Sequence, residues 1–319
     1  MSGDLEVSVI IPAFNRCPLL ERAIGSLLDQ TTCPDEILVV HSGTDDPTQA
    51  LGRKFSAVTV IHRDERLGAG SARNIASDHA TGKWLAFMDA DVVPEHDWLG
   101  NLLESVKENK KRIVGGAVDY LTTGGYWGLS LWAIEFSGVH PFLPDYETQG
   151  IASANLLVPR EALERIGGFP SRFPTAEDTI VGAKARQIGY QRWFCAKARV
   201  RHMNLSGFRH FARHLYRLGR LSAICRRAVP LKGRLAIRFW PLSPLLFVSK
   251  FVATYYRAMR WGRGRRAMFL GIAPGVLCGL VIWNLGVLKG LREAIPPLNR
   301  ERELEQVPSL KTNSIQTSM

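Results

Sequence analysis

The sequence predicts an α/β fold: a Rossmann-like, mostly parallel sheet flanked by helices, followed by a C-terminal region of amphipathic and membrane-associated helices. Two observations carry the sheet. Short β-branched runs alternate with helical patterns at intervals of about 20–30 residues, and polar clusters stand where those runs end. The third observation is a change of text after residue 203, where a basic amphipathic stretch and then long apolar segments begin.

In chain order, Val7–Ile11 is a β-branched run closed by Pro12. Leu19, Leu20, Ala23, Ile24, Leu27 and Leu28 then follow the i, i+3, i+4 spacing of a helix. Glu36–His41 and Ala57–His62 read as the second and third strands, with a short helix after Pro47 between them. A glycine turn at Leu67–Gly70 leads into a helix over Ser71–His79, and Lys83–Met88 is a fourth strand. Pro94 is expected to open another helix, reaching Asn109. In parallel sheets of this kind ligands sit beyond the carboxyl ends of the strands. Pro12–Asn15, His41–Thr44 and Asp89–Asp91 all fall there, so a nucleotide site is expected at those ends.

The bulk charge points to an anionic partner. The 319-residue chain carries 41 Lys and Arg against 29 Asp and Glu, a net charge of +12. The interval between Asp178 and Glu293 holds 23 Lys and Arg and no acid. Five scattered cysteines without a CxxC pair read as reduced packing residues, not as a disulfide framework or zinc site. No signal peptide is expected from the opening residues, which lack a basic stretch followed by an apolar one.

Three segments carry chemistry. Asp89-Ala90-Asp91 closes the apolar strand with two carboxylates one residue apart, which repel and resist burial without a counter-charge. Mg2+ or Mn2+ would supply it, because both favour oxygen ligands and bridge carboxylates to phosphates. A helix cap or a turn explains the same pair equally well. Gly68 and Gly70 before a helix start, with Arg73 in its first turn, suit a phosphate or a plain packing turn. Glu177-Asp178 opens a later helix, where acids favour the dipole and where a general base could also sit.

Together, "VSVIIPAFNR", "GAGSARNIASDHATGKWLAFMDADVVP", "ANLLVPREALERIGGF" and "AEDTIVGAKARQIGY" resemble the successive blocks of family 2 glycosyltransferases with the GT-A fold, in order from Val7 to His202. The resemblance implies inverting transfer of a sugar from a nucleotide-sugar donor to a hydroxyl, assisted by Mg2+ or Mn2+. By position it makes Asp89 and Asp91 the metal and diphosphate ligands, Asp178 the base and Arg73 a nucleotide contact. It places Pro12, Ala13 and Asn15 in the wall of the nucleoside pocket, and His202 near the diphosphate. One departure stands out. Where the family usually has an aspartate pair after the second strand, this chain has His41 and Ser42, with Asp45 and Asp46 later. Ser42 can still meet a base edge; UDP is the expected nucleotide, with GDP and dTDP open.

Past His202, Arg209, Arg213, Arg217 and Arg220 interleave with Phe208, Phe211, Leu215, Leu218 and Leu221. That is a basic amphipathic helix suited to an anionic membrane surface, or equally a solvated basic face. No nucleic-acid-binding motif accompanies it, so nucleic acid is not an expected partner. Met268–Leu288 is 21 residues without a charge, long enough to span a bilayer. Phe239–Tyr256 is interrupted by Lys250 and two prolines. The arginines between the two segments would lie opposite the catalytic domain if the first one spanned. That favours a re-entrant or interfacial course for 239–256. The expected organisation is a catalytic domain at 1–203, basic interfacial helices at 204–238, membrane-associated segments at 239–295 and a disordered tail at 296–319. Nucleotide-sugars are cytosolic, so the catalytic domain of this membrane protein should face the cytoplasm. The acceptor would be lipid-linked or a glycan. A sugar nucleotidyltransferase is the rival among enzymes, but "PAFNRCP" lacks its glycine- and lysine-rich loop. A non-catalytic membrane-anchored binding protein would have lost Asp89, Asp91 and Asp178, all of which are present.

Overall fold

The computed structural model describes residues 6–15, 17–148, 150–173, 176–262 and 264–298. Four parallel strands form one half of the sheet: β1 (Val7–Phe14), β2 (Glu36–Ser42), β3 (Val58–Arg63) and β4 (Trp84–Met88). The largely apolar text of β1, β2 and β4 follows from burial on both faces, whereas β3, at the sheet edge, is only part-buried. Val7, Val9 and Ile11 point into one core with α1 (Leu20–Leu28), α2 (Thr48–Lys54) and α4 (Trp98–Lys107). Ile10 points into the other, with α3 (Ala69–His79), α6 (Arg160–Arg165) and α7 (Glu177–Gln187).

The second half is mixed. It comprises β5 (Val92–Pro94), β6 (Arg112–Thr122), β7 (Tyr146–Glu147), β8 (Asn155–Pro159) and β9 (Gln191–Met203). The full order is β3-β2-β1-β4-β8-β6-β9-β5, with β7 also on β9. The chain leaves β1 toward β2 and β3, then returns to place β4 on its other side. Such a switch of direction opens a crevice at the carboxyl ends of β1 and β4, which carry Pro12–Asn15 and Asp89–Asp91. The helical region consists of α5 (Gly125–Phe136), inserted after β6, and α8 (Phe208–Ala228), α9 (Arg234–Arg238), α10 (Pro244–Trp261), α11 (Arg266–Gly271) and α12 (Ala273–Gly290).

Several boundaries differ from expectation for physical reasons. β1 runs through Pro12 rather than ending there. Pairing with β4 covers only Val7–Ile10, so Pro12 sits where one side of the strand has no ladder and its missing N–H is harmless. Pro94 does not open a helix. It closes the three-residue β5, which pairs antiparallel with β9, and α4 starts at Trp98. The apolar segment 268–288 is divided, because α11 ends at Gly271 and α12 starts at Ala273 with Pro274 in its first turn. The segment 239–256 becomes α10, shifted to begin at Pro244. From residue 299 onward the expected tail lies outside the described residues.

Candidate active site

Arg73 organises the site. It lies on α3, is 1% exposed, and reaches two separate motifs with one guanidinium. Its Nη2 donates to Asp89 Oδ1 at 2.6 Å and its Nη1 pairs with Glu177 Oε1. Burial disfavours the charge, but the two carboxylates outweigh that cost and hold Arg73 above its ordinary pKa. α3 is pinned against the loop that precedes α7. The Asn74 side chain donates to the Phe169 carbonyl and accepts from the Phe169 N–H, both at 2.8 Å. Gly70 makes that approach possible, since a Cβ there would meet the Pro170 carbonyl at 3.0 Å. Of the two readings for the "GAG" turn, close packing is what Gly70 serves here.

Asp89 and Asp91 stand at the end of the fully buried β4. β5 pairs with β9 so that Val92 faces His202, and the Met203 N–H donates to the Asp91 carbonyl at 3.0 Å. This register brings His202 Nε2 to 3.5 Å from Asp91 Oδ2. The other carboxylate oxygen, Oδ1, is buried without a partner among the described residues. Burial raises the Asp91 pKa, Asp89 and Glu135 add to the shift, and His202 opposes it.

Asp178 and Glu177 divide the opening of α7 between them. Glu177 is 5% exposed and committed to Arg73. Asp178 is half-buried and receives the Ser153 N–H at 3.1 Å and the Thr179 N–H at 2.6 Å. Burial pushes its carboxyl up to about 7, with the charge of Glu177 adding to the shift. Ala176, just before the helix, has φ of 66°, and Asn15 at the end of β1 has φ of 49°. Among the described residues these are the non-glycines with positive φ, and both border the crevice. Strain of this kind persists where surrounding structure enforces it, often at functional sites.

The nucleoside end is less open than expected. Pro12 is half-buried, Ala13 is 5% exposed and Ser42 only 1%, while Asn15 is exposed. His41 is buried too, stacked on His62 and hydrogen-bonded to the Asn15 carbonyl at 3.1 Å. The surface itself is offered by Phe14, which is exposed and has the Arg66 guanidinium 4.7 Å over its ring. Phe14 was not singled out from the sequence, although an aromatic at a strand end is a legible signal. Glu135 was missed as well. It lies 3.3 Å from His214 and, with Arg186, Lys232 and Arg257, lines a cavity of about 440 Å³. That cavity runs past Ile151 and Ala152, next to the Ser153 N–H that holds Asp178.

A switch-point crevice with an Asp-x-Asp end, tied by one arginine to an acidic helix start, sits on a sheet of the GT-A fold class. The glycosyl transferase family 2 model matches residues 8–167, half of the chain, and the chain belongs to that family. It is 27% identical over 194 residues to the glycosyltransferase AglE of Haloferax volcanii, a match covering 59% of this chain and 64% of AglE. It is 33% identical over 103 residues to WfgD of Escherichia coli, described as a UDP-Glc:alpha-D-GlcNAc-diphosphoundecaprenol beta-1,3-glucosyltransferase; this match covers 32% of this chain and 39% of that protein. Less than two thirds of either relative's length is therefore spanned. Among solved structures, the mannosyltransferase PcManGT of Pyrobaculum calidifontis, in complex with GDP-Man and Mn2+, superposes with a TM-score of 0.63. It is 20% identical, with 91% of this chain and 88% of that one covered.

Proposed function

We propose that the chain is a membrane-associated, metal-dependent inverting glycosyltransferase, moving a sugar from a nucleotide-sugar to a hydroxyl of a lipid-linked or polysaccharide acceptor. The observation that carries this is the Arg73 clamp, which joins the Asp89–Asp91 pair to the Glu177–Asp178 pair across one crevice. Asp178, whose pKa of about 7 suits proton transfer near neutral pH, takes the acceptor hydroxyl proton. The oxygen then bonds to the anomeric carbon as the carbon–phosphate-oxygen bond breaks, and the nucleoside diphosphate leaves toward Asp89 and Asp91.

Those two carboxylates fit a divalent cation. The buried, unpartnered Asp91 Oδ1 is an acceptor in want of a ligand. No cluster of three or more acid, His or Cys ligands is present among the described residues. Mg2+-type ions are commonly held by one or two carboxylates, with substrate phosphate and water completing the shell. When bound, the ion would neutralise charge on the departing diphosphate. Arg73 acts on the nucleotide through Asp89, which it holds in place. His202 stands beside Asp91 on the diphosphate side. Pro12, Ala13, Asn15 and Ser42 floor the nucleoside end, with Phe14 as the face on which a base stacks.

UDP is the first choice of nucleotide, in keeping with the donor in the printed name of WfgD; GDP is the second, in keeping with the PcManGT complex. An acceptor carrying both hydroxyls and an anionic group suits the cavity beside Asp178, where Arg186, Lys232 and Arg257 stand with Glu135 and Glu147. Titration calorimetry with UDP, with Mn2+ and then with EDTA, tests the site. Metal-dependent affinity is expected in the native chain and should disappear in Asp91→Asn at unchanged thermal stability. Equal affinity in both proteins under both conditions would remove the metal site and the assignment built on it.

A further inference from the structure

Large apolar side chains left in solvent are concentrated in the C-terminal helices. On α10, Leu245, Val248, Val252 and Tyr256 are 47–61% exposed at helical spacing, forming one outward stripe. On α12, Leu277, Val281 and Leu285 are 41–53% exposed on a second stripe. The opposite face of α12, including Gly279, Trp283 and Gly286, is buried against α8 and α5. One face of α12 is thus committed to α8 and α5, and the stripe of Leu277, Val281 and Leu285 is the face it leaves to its surroundings. α10 is tethered in the same way at its end. Arg265, just beyond it, makes a bidentate pair with Asp119 of β6 at 2.6 and 3.0 Å, so the basic loop returns to the catalytic side.

A second, independent feature lies where these stripes end. A cavity of about 700 Å³ opens between the end of α8, α9 and the end of α12, and Arg227, Arg234, Arg238 and Arg292 line it with no acid among them. Its remaining lining is Ile237, Leu288 and Leu291. Leu288 continues the outward stripe of Leu277, Val281 and Leu285 by one further turn, so the apolar surface runs into the cavity. α9 repeats the pairing on one short helix. Arg234 and Arg238 face the cavity, while Leu235 and Phe239 on the adjoining side are 71% and 57% exposed. Arg227 is fixed by hydrogen bonds to the Gly290 and Glu293 carbonyls. The guanidinium groups of Arg234, Arg238 and Arg292 have no hydrogen-bond or ion-pair partner among the described residues. The nearby Glu293 carboxylate is turned to Arg220, at 3.7 Å.

We infer that α9–α12 dock the enzyme in the plane of an anionic bilayer, and that the four-arginine cavity seats the phosphate headgroup of an anionic phospholipid whose chains lie along the α12 stripe. This rests on the membrane reading above and adds to it a site and a ligand class. Guanidinium groups are suited to phosphate, pairing with it bidentately. Helices with an apolar face and basic flanks bind such interfaces without crossing them.

Co-sedimentation of the full chain with phosphatidylcholine vesicles, with and without phosphatidylglycerol, tests the inference. The native chain should bind both and prefer the anionic ones. Arg234→Gln/Arg238→Gln should bind neutral vesicles unchanged and lose about 30-fold of the anionic preference, taking about 1 kcal/mol per arginine. Arg209→Gln/Arg213→Gln removes the same charge from the exposed stripe of α8 and should keep most of that preference. Val252→Glu/Val281→Glu should lose both kinds of binding. Equal losses from the two arginine pairs would mean diffuse attraction and overturn the headgroup site while leaving membrane association standing. Release of the native chain by soluble glycerol phosphate would make the site one for free phosphate instead. Absence of binding to either vesicle would overturn the membrane reading and the headgroup site together, without touching the nucleotide assignment, which the UDP titration tests separately.

Discussion

At Asp178 the conflict between stability and chemistry is visible in a single side chain. Its carboxyl is pushed up to about 7 by burial and by Glu177, whereas the unfolded chain returns it to an ordinary carboxylate value. The folded state thus binds the proton more tightly, and the stability it gains from this at low pH is lost as pH rises from the unfolded value through about 7. Relative to the native chain, Asp178→Asn should therefore gain in Tm on going from pH 5 to pH 8, even though it gives up one of the acceptors now serving Ser153 and Thr179. Activity should run the other way. The native kcat/KM should rise with pH to a plateau above about 7, and Asp178→Asn should lower kcat by about 10²–10⁴-fold while binding UDP normally. Glu177→Gln removes a carboxylate that faces Arg73, so it should weaken donor binding and stability more than kcat. Pre-steady-state transfer assays at matched donor saturation separate the two; a larger kcat loss in Glu177→Gln would reverse their roles. The three aspartates could be read from the text because their spacing to strands and helix starts is local. The Arg73 clamp could not, since it joins residues 16 and 104 positions apart and its meaning depends on burial.

The elements were mostly legible where periodicity is long, and obscure where a neighbour decides. β2, β3 and β4 follow their expected runs to within a residue, whereas the three-residue β5 exists only because β9 pairs with it. α12 shows the same limit from the other side. In the sequence most of it belongs to an uncharged segment long enough to span a bilayer, but in the fold its glycines are contact points with α8 and α5. A Cβ on Gly286 would meet the Tyr216 carbonyl, one on Gly290 the Arg220 carbonyl, and one on Gly219 of α8 the Trp283 carbonyl. Small residues at such spacing let two helix backbones approach closely. Gly286→Ala should therefore force the helices apart, costing about 1–3 kcal/mol as overpacking does. Gly271→Ala, where nothing lies within 4 Å, serves as the control and should be neutral or better. Thermal unfolding of both variants decides the point, and equal Tm values would mean that α12 is held loosely.

At the scale of the molecule, catalytic sheet and C-terminal helices share one apolar core. A single buried cluster extends from Val7 and Ile24 through Phe211, Leu215, Ile237 and Leu246 to Leu280, Trp283 and Val287. α5, inserted between β6 and β7, carries Trp132 and Ile134 into the same cluster, and Trp132 packs on Phe269 of α11. Composition alone suggests a boundary near residue 203, because charge and hydropathy change there; packing does not respect that change. Removing the chain beyond Pro230 would uncover the faces of α8 and α5 that α12 now buries. Burial of this kind contributes roughly 25 cal/mol per Å² of apolar surface, so the loss of a whole helix interface is large against a typical domain stability of about 5–15 kcal/mol. Residues 1–230 are therefore expected to aggregate or to unfold at a markedly lower temperature than the full chain in mild detergent. Size-exclusion profiles and melting curves of the two measure this directly. A monodisperse fragment with the native Tm and native UDP affinity would show instead that α9–α12 are an appendage, and that the shared core contributes little to holding the catalytic crevice.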